Sequence, residues 1–171
     1  MDIYEAIKTR RSVRSYRDKE VDQATLDKIL EAGRLAPSAH NSQDYKFVVV
    51  RDAGKRKALA KAASEQRFIA EAPLIIAAVS LKPESLMDCG VPAYAVDLAI
   101  AFDHITLAAA AEGLGTCWIG SFSQEEVKDI LEVPEQYKVV ALLSLGTPYD
   151  EPGVKSRKTL KDLVRYENFS E

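Results

Sequence analysis

Residues 93–111 read Ala-Tyr-Ala-Val-Asp-Leu-Ala-Ile-Ala-Phe-Asp-His-Ile-Thr-Leu-Ala-Ala-Ala-Ala. The stretch is rich in alanine and free of glycine and proline, which predicts one long helix. Apolar residues occupy nearly every side of it, and a helix apolar all round is buried all round. That burial is hard to arrange within a chain of 171 residues. Two readings follow: a helix at a subunit interface, or a central core helix. Asp97, Asp103 and His104 break the run, so no uninterrupted apolar stretch has the length of a membrane span. His104 itself reads as a hydrogen-bonded packing residue.

Shorter elements surround this helix. Asp2 followed by Glu5 reads as a capping box that opens a helix with Ile3, Ala6 and Ile7 on one stripe. A second helix is predicted over 23–35, with Leu26, Ile29 and Leu30 facing the core and Pro37 stopping it. Residues 45–51 read as a strand, 54–63 as a polar helix, and 74–80 as a strand buried on both faces. Gly113 fits a helix C-cap, and 116–120 a short strand. Ser123 with Glu126 opens a further helix carrying Val127, Ile130 and Leu131, and 138–146 forms another buried strand. Strands and helices interleave without a regular βαβ repeat, so the pattern favours α+β over a doubly wound sheet. No linker or repeat divides residues 1–171, which read as a single domain.

The composition is that of a globular protein, with 47% hydrophobic and 29% charged residues and a net charge of −3. That total argues against nucleic-acid binding, but the charge is uneven. Residues 8–19 carry a net of +5 and residues 155–165 a net of +4, leaving −12 for the rest. Two cysteines without metal-ligand spacing and two histidines exclude a multi-histidine metal site. No apolar core follows a basic start, and a cytoplasmic protein with reduced thiols is the expectation.

Four segments have chemical potential. In Arg10-Arg11-Ser12-Val13-Arg14, guanidinium groups and a hydroxyl can bind phosphate, though cations also suit a solvated helix C-terminus. Ala36-Pro37-Ser38-Ala39-His40-Asn41-Ser42-Gln43 offers small and amide side chains to a flat ligand, or is an ordinary turn. Gly113-Leu114-Gly115-Thr116-Cys117-Trp118-Ile119-Gly120 contains G-x-G, but it follows a helix and enters a strand, the reverse of a dinucleotide fingerprint. In Lys155-Ser156-Arg157-Lys158, alternate cations of an extended chain share a side and can grip one phosphate, or form a solvated tail. Cys117 reads as a core thiol, and Ser38 has no identifiable triad partners.

Taken together and in this order, the four segments resemble the nitroreductase family of FMN-dependent oxidoreductases, over nearly the whole chain. The resemblance implies a mixed central sheet flanked by helices and an intertwined homodimer with its sites at the interface. It implies that Arg10, Ser12, Lys155 and Arg157 hold the FMN phosphate, with Arg11 in the same motif. Arg14 would reach the pyrimidine end of the flavin, and backbone N–H groups at Ile119 and Gly120 would face its N5 edge. Pro37, Ser38, Ala39 and Asn41 would line the ring from the other subunit.

The implied activity is hydride transfer from NADH or NADPH through FMN to nitroaromatic, quinone or similar acceptors, in ping-pong fashion. The chemistry belongs to the cofactor, so no catalytic side chain and no metal are expected. The partners expected are a second copy of the chain and a small acceptor, with no nucleic acid or membrane. An FMN-binding storage or sensing protein is the alternative. The chain departs from the family where Asp44 and Tyr45 stand in place of the proline and tryptophan of many members, and where Glu65-Gln66 occupies the segment in which some members place an asparagine.

Overall fold

Every helix start foreseen from a capping side chain is capped by it in the computed structural model, which describes residues 1–150, 153 and 156–169. Helix α1 (Ile3–Thr9) opens where the Asp2 carboxylate accepts the Glu5 N–H at 2.9 Å. Asp22 does the same for α2 (Gln23–Arg34), taking the Thr25 N–H at 2.9 Å. Asp52 caps α3 (Ala53–Ala62). A single turn, α4 (Phe68–Glu71), follows it; four residues are too few to show a periodic stripe. The long α5 (Ala93–Ala111) ends at Glu112, and Gly113 beyond it has the left-handed backbone, φ +74°, expected of a terminating glycine. Ser123 caps α6 (Gln124–Leu131), and Thr159 with Asp162 forms a reciprocal box on α7 (Leu160–Leu163).

Among the described residues four strands make one sheet: β1 (Tyr45–Val50), β2 (Leu74–Ser80), β3 (Gly115–Ile119) and β4 (Lys138–Gly146), in the order β1-β2-β4-β3. The crossover through α5 sets β2 and β3 running the same way, which favours the mixed sheet expected. But β4 slots between them in the opposite sense, so every ladder is antiparallel. Among the described residues, parallel pairing is confined to one bridge between Ser12 and Thr116.

The central strand β2 is buried along its whole length, and its alternate residues enter two cores. Ile75, Ala77 and Val79 pack with Leu59 of α3, Ile69 of α4 and Val127 of α6. Leu74, Ile76 and Ala78 pack with Ile29 of α2 and with Leu98, Phe102 and Ile105 of α5. The result is a sheet between two helical layers.

By length and apolar composition α5 would suffice to cross a membrane. It lies instead against the sheet, with the Phe102 ring stacked on Phe47 at 5.9 Å and meeting Trp118 edge-on at 5.2 Å. The core reading holds for one face of it. Leu98, Ala101, Phe102 and Ile105 are buried core, while Ala99 and Ala111 are exposed and Val96, Ile100 and Leu107 only half-buried. His104 packs as expected, with Nδ1 3.4 Å from the Ala32 carbonyl oxygen of α2.

Candidate functional site

The segment Arg10–Arg17 leaves α1 and runs as an extended strap along the β3 edge. Ser12 bridges Thr116, and the Val13 N–H donates to the Thr116 carbonyl at 2.9 Å. Farther on, the Arg17 N–H donates to the Thr147 carbonyl and the Tyr149 N–H to that of Ser15. The approach to β3 depends on Gly115, where a Cβ would stand 2.5 Å from Val13 Cγ2. The strap therefore passes where only a glycine leaves room.

This path separates the basic residues by role. Arg11 turns back, and its Nη1 donates to the carbonyls of Lys8 at 2.6 Å and Arg10 at 2.9 Å. It closes the C-terminal end of α1, where a cation is favoured. Arg10 and Arg14 have no carboxylate partner among the described residues. The Arg14 guanidinium lies over the Phe68 ring of α4, 6.0 Å from its centre, a cation–π geometry. Phe68 was not legible as a site residue, since nothing in its spacing links it to Arg14.

At the far end of β3, Ile119 buries its side chain while Gly120 is exposed, leaving only backbone to offer a ligand. Gln66 braces this turn, its Nε2 donating to Ala63 O at 2.8 Å and to Ser121 O at 3.3 Å. Ser64 and Glu65 beside it both hold left-handed backbone, φ +58° each. Such conformations in residues with a Cβ cluster at functional sites.

The loop after α2 shows the same strain. His40, Asn41 and Gln43 have φ of +54°, +55° and +53°. The loop is held from both sides: Asp97 of α5 accepts the Ala39 N–H at 2.9 Å, and Ser38 Oγ accepts the Gln43 N–H at 3.1 Å. Pro37 and Asn41 are exposed, and Ser38 and Ala39 half-buried. At the two positions that depart from the family pattern, Asp44 pairs with Lys82 at 3.0 Å and the Tyr45 ring tilts against Phe47.

Sheet order keeps this loop away from the strap. The loop feeds β1 at one edge, whereas Arg10–Arg14, Thr116 and Gly120 lie at the β3 edge, with β2 and β4 between. Three strand spacings put those edges about 14 Å apart. One chain thus carries both sets of expected site residues but does not bring them together. Arg157 is exposed, its Nη1 donating to Ser156 O. Lys155 lies outside the described residues.

Comparison with known proteins defines the class. The family model described as "Nitroreductase family" matches residues 7–81 and 63–147. A relative from Methanothermobacter thermautotrophicus is 34% identical over 160 residues, covering 91% of this chain and 82% of its own. The FMN reductase (NAD(P)H) of Bacillus subtilis is 32% identical, over 91% of this chain and 70% of its own. The solved structure of an FMN-dependent nitroreductase from Clostridium difficile superposes with a TM-score of 0.81 at 32% identity, covering 96% of this chain and 98% of that one. The chain belongs to the nitroreductase family.

Proposed function

We propose that this chain is an FMN-dependent NAD(P)H oxidoreductase that works in the cytoplasm as a homodimer. It takes electrons from a nicotinamide and passes them to nitroaromatic, quinone or similar small acceptors in ping-pong order. The observation that carries the reading is the strap: Arg10 and Arg14 flank Ser12 on the β3 edge, without acidic partners among the described residues. An uncompensated guanidinium at Arg10 fits the phosphate of a bound FMN, and one at Arg14 fits the electron-rich pyrimidine end of its ring.

Bound FMN would supply the hydride chemistry. The residues supply grip and electrostatics. Arg10, Ser12, Lys155 and Arg157 bind the phosphate, and Arg11 holds the end of α1 from which the strap departs. Arg14 places positive charge at the pyrimidine end of the ring, favouring its reduced, anionic form. The backbone at Ile119 and Gly120 faces the N5 edge. Pro37, Ser38, Ala39 and Asn41 cover the ring from the partner subunit, which accounts for their place at the opposite edge of the sheet.

Two further features support the dimer. The outward face of α5 continues into exposed Ile3, Tyr4 and Ile7 of α1. The C-terminal arm carries Leu160, Tyr166 and Phe169, each more than three-quarters exposed at 78%, 85% and 93%. Apolar surface of this kind marks an interaction site.

The test is anaerobic. Protein loaded with FMN is mixed with NADH or NADPH, and flavin absorbance is followed before and after an acceptor is added. Bleaching followed by recovery is expected. Persistent colour with both nucleotides would leave a flavin binder without turnover, and a protein that takes up no FMN would refute the reading outright.

A further inference from the structure

We infer that Tyr16 is a positioning residue of the flavin site: its buried hydroxyl clamps the Val13 carbonyl and so sets the spacing between Ser12 and Arg14. The inference rests on the flavin reading above. Tyr16 is 7% exposed, and its Oη donates to Val13 O at 2.8 Å. The same oxygen lies 2.7 Å from Ser144 Oγ, a fully buried hydroxyl on β4. With the phenol proton on Val13, Ser144 donates to the phenol oxygen. Ser144 Oγ is also 3.4 Å from the Cys117 carbonyl oxygen of β3.

The strap has no helical bonding. It meets β3 through the Ser12–Thr116 bridge, and beyond Arg14 it is held by the Tyr16–Pro148 bridge and the Arg17–Thr147 and Tyr149–Ser15 bonds. Between those two anchors the Tyr16 hydroxyl adds the hold on Val13. Val13 donates its N–H to β3 and presents its carbonyl to Tyr16, so both of its backbone groups are committed. The residues on either side, Ser12 and Arg14, are those expected to meet opposite ends of one FMN. A residue pinned between them fixes their separation.

Packing alone does not call for the hydroxyl. Tyr16 sits in the apolar core with Val13, Ile69 and Ile75, where a phenylalanine ring would fill the same space without a polar atom to satisfy. Burial pushes the phenol well above the usual tyrosine range, while the nearby Arg14 charge acts the other way. Tyr16 therefore stays neutral and keeps donating at any working pH, and Arg14 lies within its electrostatic reach.

The experiment compares Tyr16→Phe, Ser144→Ala and, as a packing control in the same core, Val127→Ala beneath α6. For each, FMN dissociation constant, midpoint potential of the bound flavin and Tm are measured. Losing the clamp in Tyr16→Phe is expected to weaken FMN binding about fivefold to tenfold, the scale of one net hydrogen bond, and to lower the potential as Arg14 loosens. Ser144→Ala, which keeps the bond to Val13, should weaken binding about twofold to threefold and gives the readout if Tyr16→Phe does not fold. Val127→Ala should lower Tm and leave binding unchanged.

A Tyr16→Phe protein with lowered Tm but wild-type affinity and potential would overturn the proposal and leave Tyr16 a structural residue. So would a Val127→Ala protein that loses affinity as much. Wild-type protein that takes up no FMN would overturn the flavin reading itself, a result distinguishable from both.

Discussion

Replacing Gly115 by alanine should disable the site without touching any residue expected to contact the cofactor. The new methyl would stand 2.5 Å from Val13 Cγ2, 2.8 Å from Val13 Cβ and 3.0 Å from Pro148 Cγ. Carbon atoms rest at about 3.5–4.0 Å, so Val13 has to retreat by about 1 Å. It cannot retreat freely, because its N–H is bonded to Thr116 O at 2.9 Å and its carbonyl to Tyr16 at 2.8 Å. Overpacking of this kind costs about 1–3 kcal/mol of stability. The displacement also moves Ser12 and Arg14, so FMN affinity should fall by about tenfold or more, as expected for a misplacement of this size. The assay is a fluorescence titration of FMN beside a thermal melt. Val13→Ala in the same chain removes the Cγ2 clash, and the double variant should recover part of the lost affinity. A Gly115→Ala protein with unchanged Tm and unchanged affinity would refute the close-approach argument.

Arg10→Ala and Arg157→Ala should each weaken FMN by about 1.5–3 kcal/mol if a charge-assisted bond is lost, and unchanged dissociation constants in both would remove the phosphate assignment. Sedimentation should show a dimer, and deleting residues 159–171 should shift it toward monomer with loss of activity. An active wild-type monomer would contradict the two-chain site. The N–H of Thr25 holds the Asp22 carboxylate below its ordinary value of 3.8. A depressed carboxylate pKa contributes stability above the unfolded value and loses it as pH falls through the folded one. The Tm of wild type should therefore drop more between about pH 5 and about pH 3 than that of Asp22→Ala, and equal drops would contradict the cap.

Much of the fold was legible because local chemistry decides it. Asp2 and Ser123 announce helix starts by a single side chain, and the β2 run Leu74–Ser80 shows its double burial through unbroken apolar composition. The strand order was not legible. Whether β4 enters beside β3 or between it and β2 depends on nonlocal packing that no periodicity records; the mixed sheet came from the family resemblance alone, and the ladders among the described residues are antiparallel. The site divides in the same way. Guanidinium groups around a serine mark themselves by type. The supports do not: Phe68 beneath Arg14, and Ser144 against Tyr16 across 128 positions of sequence. Such residues look like ordinary core or turn until the chain is folded.

The separation of the loop and the strap has a genetic consequence. If each site draws its strap from one chain and its loop from the other, two different lesions can cancel. A chain disabled at Arg10 and a chain disabled at Asn41 would each form dead homodimers. Coexpressed, they would assemble mixed dimers in which one site inherits both lesions and the other inherits neither. Random pairing makes half the dimers mixed, so about a quarter of all sites would be whole. Two null alleles of one short gene would then rescue each other, because the edges of a single four-stranded sheet belong to different sites.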